Sequence, residues 1–114
     1  MKREFRLTRF GDFMRVRRAG KSYAHPLVVL IVKSNALSTV RIGVAAGRSV
    51  GNAVERNRAK RRMRSCIHRQ LPSLVGGRDL ILLARKPIAE ATFQQIDLAI
   101  QGLLERAGLL NKQT

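Results

Sequence analysis

Apolar and polar positions along the chain alternate between helical and strand-like spacing. Residues 8–18 place Phe10, Phe13, Met14 and Arg17 at i, i+3, i+4 and i+7, the repeat of one helix face, and Gly20 suits the helix end. A short strand is predicted around Ser22–Ala24, closed before His25-Pro26. Leu27–Val32 is short and rich in branched residues and reads as a second strand, with a turn at Ser34–Ala36. Val40–Ala45 reads as a third. Asn52 can accept from the backbone at the start of a helix over about residues 53–69, which stops before Pro72. After a loop at Gly76-Gly77, Asp79–Ala84 reads as a buried strand ended by Lys86-Pro87. Thr92 and Gln95 have the spacing of a capping box. They open a last helix with Phe93, Ile96, Ile100, Leu103, Leu104 and Ala107 on one stripe, closed by Gly108.

The resulting order is helix-strand-strand-strand-helix-strand-helix. It predicts an α/β (α+β) sandwich, one sheet with helices packed on it. There is no repeat, linker or break in composition, so residues 1–114 read as one domain. The longest apolar run, Leu27–Val32, is far too short to span a membrane. The N-terminus from Met1 to Arg6 is charged and leads into no apolar signal core, which makes a cytoplasmic location the expectation. Cys66 is the single cysteine, so neither an internal disulfide nor a cysteine metal cluster is available, and it reads as a half-buried helix thiol.

Charge changes the picture most. Lys and Arg number 23 against 7 Asp and Glu, a formal net charge of +16, and most of the cations are arginines. A compact fold with that balance repels itself, and a polyanion relieves the repulsion by giving up counterions. Arginine pairs with phosphate through two parallel hydrogen bonds and stacks on bases, so the bias points to nucleic acid. No segment joins a broad apolar face to a basic one in the way a membrane surface requires.

The cations concentrate on residues 53–69. On a wheel of 100° per residue, Ala59, Met63, Cys66, Ile67 and Gln70 gather on the side that should face the sheet. Asn57, Lys60, Arg61, Arg64 and His68 share a second arc, and Arg58, Arg62 and Arg69 a third, with Val54 off the apolar stripe. Like charges one turn apart destabilise an isolated helix, and only Glu55 is present to offset them. A solvated face usually mixes both signs. By spacing alone this helix calls for a phosphate-rich partner. The loop Gly47–Asn52 ahead of it is not a P-loop, because no Gly-Lys-Ser/Thr follows at the required spacing. The acids Glu4, Asp12, Glu55, Asp79, Glu90, Asp97 and Glu105 contain no pair or metal motif, and His25 and His68 lack partners at ligand spacing. No active site is expected within the chain.

Ser49–Arg64, with its Gly51-Asn52-x-Val54-x-Arg56-Asn57-Arg58-x-Lys60-Arg61 core, closely resembles the signature of the bacterial ribonuclease P protein component family. Leu7–Gly20 with Asp12-Phe13 resembles that family's first helix. Arg41–Val44 resembles its third strand, and Ala84–Pro87 the segment after its last strand. The resemblance covers about residues 5–107. It implies a protein that joins a catalytic RNA to remove the 5′ leader of precursor tRNA by hydrolysis, with Mg²⁺ held mainly by the RNA and substrate. It also implies a left-handed strand–helix–strand crossover, against the usual hand.

Carried over position by position, the resemblance places Arg56, Asn57, Arg58, Lys60, Arg61 and Arg64 against the catalytic RNA. His68 joins them through the wheel. It also implies a leader cleft between the first helix and the sheet, for which Phe10, Phe13, Arg17, Tyr23 and Ile31 are the candidates. Arg17 and Ile31 stand where family members can carry aromatic rings. The rival readings are a ribosomal-type RNA-binding protein and a protein that lays its basic helix in a DNA groove; no DNA partner is expected, because the Arg56-Asn57-Arg58 context argues against both.

Overall fold

The computed structural model describes residues 5–7 and 9–111, so the readings made of Met1–Glu4 and of a helix start at residue 8 lie outside the described residues. Helix α1 spans Phe10–Ala19. Strands β1 (Lys21–Ala24), β2 (Val28–Ser34) and β3 (Val40–Ala46) follow, then helix α2 (Ala53–Gln70), strand β4 (Arg78–Ala84) and helix α3 (Phe93–Arg106). The predicted order of elements is the observed one.

The four strands form a mixed sheet in the order β1-β2-β4-β3. β1 with β2 and β2 with β4 are antiparallel, while β3 lies parallel to β4, in a register that sets Arg41 opposite Asp79 and Ala46 opposite Ala84. Two parallel neighbours need a crossover, and α2 is it. The strand period of two divides the side chains between faces. Val28, Leu30, Val40, Ile42, Leu80 and Leu82 meet Ala59, Met63, Cys66 and Ile67 of α2 and Ile96, Ile100, Leu103 and Leu104 of α3 in the main core. On the other face Ile31 and Ile81 pack with Leu7 and with Val16 of α1. This double cover explains why β2 and β4 read as nearly unbroken apolar runs.

The local devices that position α2 are specific. Asn52 accepts from Glu55 N at 2.9 Å while Glu55 Oε1 accepts from Asn52 N at 3.1 Å, closing a capping box. Gly51 just before it has φ of 148°, and a Cβ there would collide with the Glu55 carboxyl. Thr92 and Gln95 make the same reciprocal pair at the start of α3, and Gly108 closes that helix with φ of 69°.

The first helix departs from its predicted face. Phe10 is 79% exposed and Arg17 is exposed, whereas Val16 is fully buried. The edge that meets the sheet runs through Asp12, Phe13, Val16 and Gly20. Two glycines allow the close approach. A Cβ at Gly20 would stand 2.6 Å from Ile31 Cγ2, and one at Gly43 would stand 3.1 Å from the Phe13 ring, which lies against the bare backbone of β3.

Candidate nucleic-acid interface

The wheel's division of α2 is realised by its packing. Ala59, Met63, Cys66 and Ile67 are buried, and Val54 is 73% exposed. Asn57, Arg61, Arg64 and His68 are exposed, with Lys60 half-buried beside them. Arg61, Arg64 and His68 line one shallow cavity of about 200 Å³ together with Ser65, which the wheel had not singled out. Two arginines of the third arc make contacts within the protein, although Arg69 itself stays exposed. Arg62 Nη1 donates to the Ala91 carbonyl at 3.1 Å, and Arg69 pairs with Asp97 of α3 at 3.7 Å. Those two arginines link α2 to the α3 side, while Arg61 and Arg64 are exposed. Arg56 and Arg58 are half-buried at the start of the helix, and among the described residues neither forms an ion pair.

The basic surface continues past α2. The segment ahead of α1 runs along the free edge of β3, with Leu7 N donating to Ile42 O at 2.9 Å and Arg6 bridged to Ile42. A cavity of about 250 Å³ at this edge is lined by Arg6, Phe13, Gly43 and Arg64 among others, so α1 and α2 share a wall although they cover opposite faces. Arg6 carries no spacing signal in the sequence, because edge pairing alone brings it to the cavity that Arg64 lines.

The five leader candidates do not converge. Phe10 and Arg17 are exposed on α1 with Phe13 half-buried between them. Ile31 is 4% exposed and packed beneath α1, so as placed it offers no surface for a base. Tyr23 is paired with Leu30 and packs against the main core, on the face of the sheet opposite α1. Its ring carries Lys21 Nζ at 5.3 Å from the centroid instead. Beside α1 the sheet presents Val29 and Leu83, half-buried and apolar.

One cluster was missed entirely. Arg41 donates through Nε and Nη2 to the two oxygens of Asp79 at 2.9 and 2.8 Å, and through Nη1 to Asp12 at 3.4 Å. Asn35 donates to Asp79 at 2.8 Å, and Arg15 lies 3.2 Å from Asp12 and 3.8 Å from Asp79. Asp79 is 1% exposed. Burial pushes its carboxyl up, but the hydrogen bonds from Arg41 and Asn35 and the charges of Arg41 and Arg15 prevail and hold it below the usual carboxylate range. The Arg41 guanidinium is shifted up by the same contact. Two carboxylates are thus brought together across 67 positions of sequence, but arginines occupy the space between them, which leaves no donor set for a metal. Among the described residues no group of three or more His, Cys, Asp and Glu converges. The cluster ties α1 to β3 and β4 and so fixes where Phe13 lies.

Cys66 is fully buried, and burial followed by the neighbouring Asp97 carboxylate pushes its thiol up to about 12. A thiolate is the reactive form, so a thiol-specific reagent at neutral pH should modify the folded chain only as fast as the chain opens. Alkylation as rapid as in denaturant, followed by mass spectrometry, would contradict this burial.

Among the described residues no helix is long and apolar enough to cross a membrane. A family model described as ribonuclease P matches residues 1–108. The ribonuclease P protein component of Chloroflexus aurantiacus is 39% identical over 115 aligned positions, covering 100% of this chain and 85% of the relative. That of Clostridium novyi is 35% identical over 113 positions, covering 97% of this chain and 100% of the relative. The solved structure of Staphylococcus aureus RNase P protein superposes with a TM-score of 0.86 at 29% identity, over 94% of this chain and 98% of that one. The Thermotoga maritima RNase P protein gives 0.80 at 28% identity, over 89% and 96%.

Proposed function

The chain belongs to the ribonuclease P protein component family, whose members are subunits of a tRNA-processing endoribonuclease, and on that premise we propose that α2 binds the catalytic RNA while the flank of α1 holds the 5′ leader of precursor tRNA. The observation that carries the first half is the convergence of Arg61, Arg64 and His68 on one cavity, while Arg62 and Arg69 on the neighbouring arc contact Ala91 and Asp97. Asn57 and Lys60 extend that face toward the helix start, with Arg56 and Arg58 flanking it on either side. There the capped N-terminus adds the positive end of the helix dipole, which also favours phosphate.

The chemistry belongs to the RNA. In this reading Mg²⁺ would be held mainly by the RNA and substrate and would supply the activated water; the protein neutralises phosphates and orients the leader. The two carboxylates the fold brings together are already saturated by Arg41, Arg15 and Asn35, which fits a supporting role. Such a particle works where tRNA precursors are made, in the bacterial cytoplasm. The test is reconstitution: the chain alone should leave precursor tRNA intact, and adding it to ribonuclease P RNA should restore cleavage at low Mg²⁺. Cleavage by the protein alone, or no gain in the RNA's activity, would sink the reading.

For the leader, Phe10, Phe13 and Arg17 lie along one flank of α1 next to Val29 and Leu83, and a base stacked on an aromatic ring contributes about 1–3 kcal/mol. Arg17 can stack its guanidinium on a base or pair with a phosphate. Arg17→Ala should weaken holoenzyme binding of precursor tRNA with a leader several nucleotides long and barely alter binding of mature tRNA. Equal losses for both RNAs, measured by titration, would reject a leader contact there.

A further inference from the structure

Beyond His68 the basic face of α2 runs into an apolar hollow. A cavity of about 490 Å³ lies where the end of α2 meets the start of β3, walled by Phe5, Val40, His68, Leu71, Pro72 and Leu74 and rimmed by Ser38 and Thr39. That volume is ample for a planar ring system with a sugar attached. His68 also lines the neighbouring cavity of Arg61, Arg64 and Ser65, so two compartments share one side chain. One is cationic and the other is apolar with an aromatic ring. Among the described residues no carboxylate lines either.

A phosphate joined to a flat apolar group with polar edges is the chemistry that fills both at once. A purely apolar peptide side chain would leave the cations without a purpose, and a bare phosphate would leave the hollow without one. Ser38 and Thr39 are exposed and line the hollow, and a hydroxyl can both donate to and accept from the hydrogen-bonding edge of a base. Resting on the reading of α2 as the RNA-binding face, we propose that one unpaired nucleotide of the catalytic RNA docks here. Its phosphate lies against Arg61, Arg64 and His68, and its base enters the hollow onto the Phe5 ring.

The test is the affinity of the full chain for ribonuclease P RNA over a range of salt concentrations. Phe5→Leu, which keeps an apolar side chain but removes the ring, should weaken binding about tenfold. The salt slope should not change, because an uncharged stacking contact releases no counterions. Phe5→Tyr, which keeps the ring, should stay within about twofold of wild type. Ser38→Trp fills the hollow from an exposed position and should weaken binding as Phe5→Leu does. As a second readout, adenosine or uridine 5′-monophosphate should move the Leu71 and Leu74 methyl resonances, and inorganic phosphate should not. Normal salt-dependent binding that neither Phe5→Leu nor Ser38→Trp weakens would overturn the docked base and leave the reading of α2 intact. Weakened binding with methyl resonances that no nucleotide moves would make Phe5 a structural residue and equally overturn it. Wild-type binding without salt dependence would remove the reading of α2 and this inference with it.

Discussion

Replacing Arg61 and Arg64 together by alanine is expected to cost about two orders of magnitude in affinity for ribonuclease P RNA at moderate salt. Both side chains are exposed, line one cavity and form no ion pair among the described residues. Nothing in the fold therefore depends on them, and thermal stability should be unchanged or slightly raised as like-charge repulsion along α2 falls. Each phosphate neutralised contributes about 0.7–0.9 to the slope of log affinity against log salt, so the double variant should flatten that slope by about 1.5. Arg62→Ala and Arg69→Ala supply the contrast. They remove contacts to Ala91 and Asp97, so they should lower stability by a modest amount and leave the salt slope alone. An unaltered slope in the Arg61 and Arg64 variant would show that the RNA lies on another face.

Arg41→Ala should be the most destabilising single change outside the apolar core. It strands the Asp79 carboxylate, 1% exposed, with only Asn35 and a distant Arg15. Breaking a buried pair from one side typically costs about 3–5 kcal/mol, a large part of the 5–15 kcal/mol that holds a domain together. Replacing both partners with apolar residues, Arg41→Met with Asp79→Leu, should recover much of the loss, because no charge is then left buried. Urea denaturation of the three proteins measures this directly, and a double variant no better than Arg41→Ala would refute the account. Asp79 also sets a pH dependence. Its native carboxyl binds a proton less readily than the unfolded one. The stability it contributes is therefore complete above about pH 4 and is lost as pH falls through the lower native value. Asp79→Leu with Arg41→Met should abolish that part of the acid sensitivity. Because the same cluster holds α1 through Asp12, Arg41→Ala should also weaken the leader-dependent part of substrate binding before the fold is lost.

Local rules carried the sequence a long way. Period, caps and turn residues placed the three α-helices and four strands of the described residues, because those signals act over a few residues: the Asn52–Glu55 and Thr92–Gln95 pairs close within one turn, and Gly108 needs only its own φ. The basic arc of α2 was equally legible, since a helix wheel converts spacing into a face without any partner being known, and its Gly-Asn-x-Val-x-Arg-Asn-Arg-x-Lys-Arg stretch carried the family. What tertiary structure alone decided depends on pairings between distant segments. Asp79 read as the polar start of an apolar strand, and only the parallel register with β3 sets it opposite Arg41. Tyr23 and Ile31 looked equivalent as strand residues beside α1, but strand pairing puts Tyr23 on the opposite face and burial hides Ile31. The first helix was misphased because its short apolar repeat allowed more than one stripe. The choice fell to Gly20, Gly43 and the Asp12–Arg41 contact, all of which lie on the surface that meets the sheet and none of which a count of apolar residues can weigh.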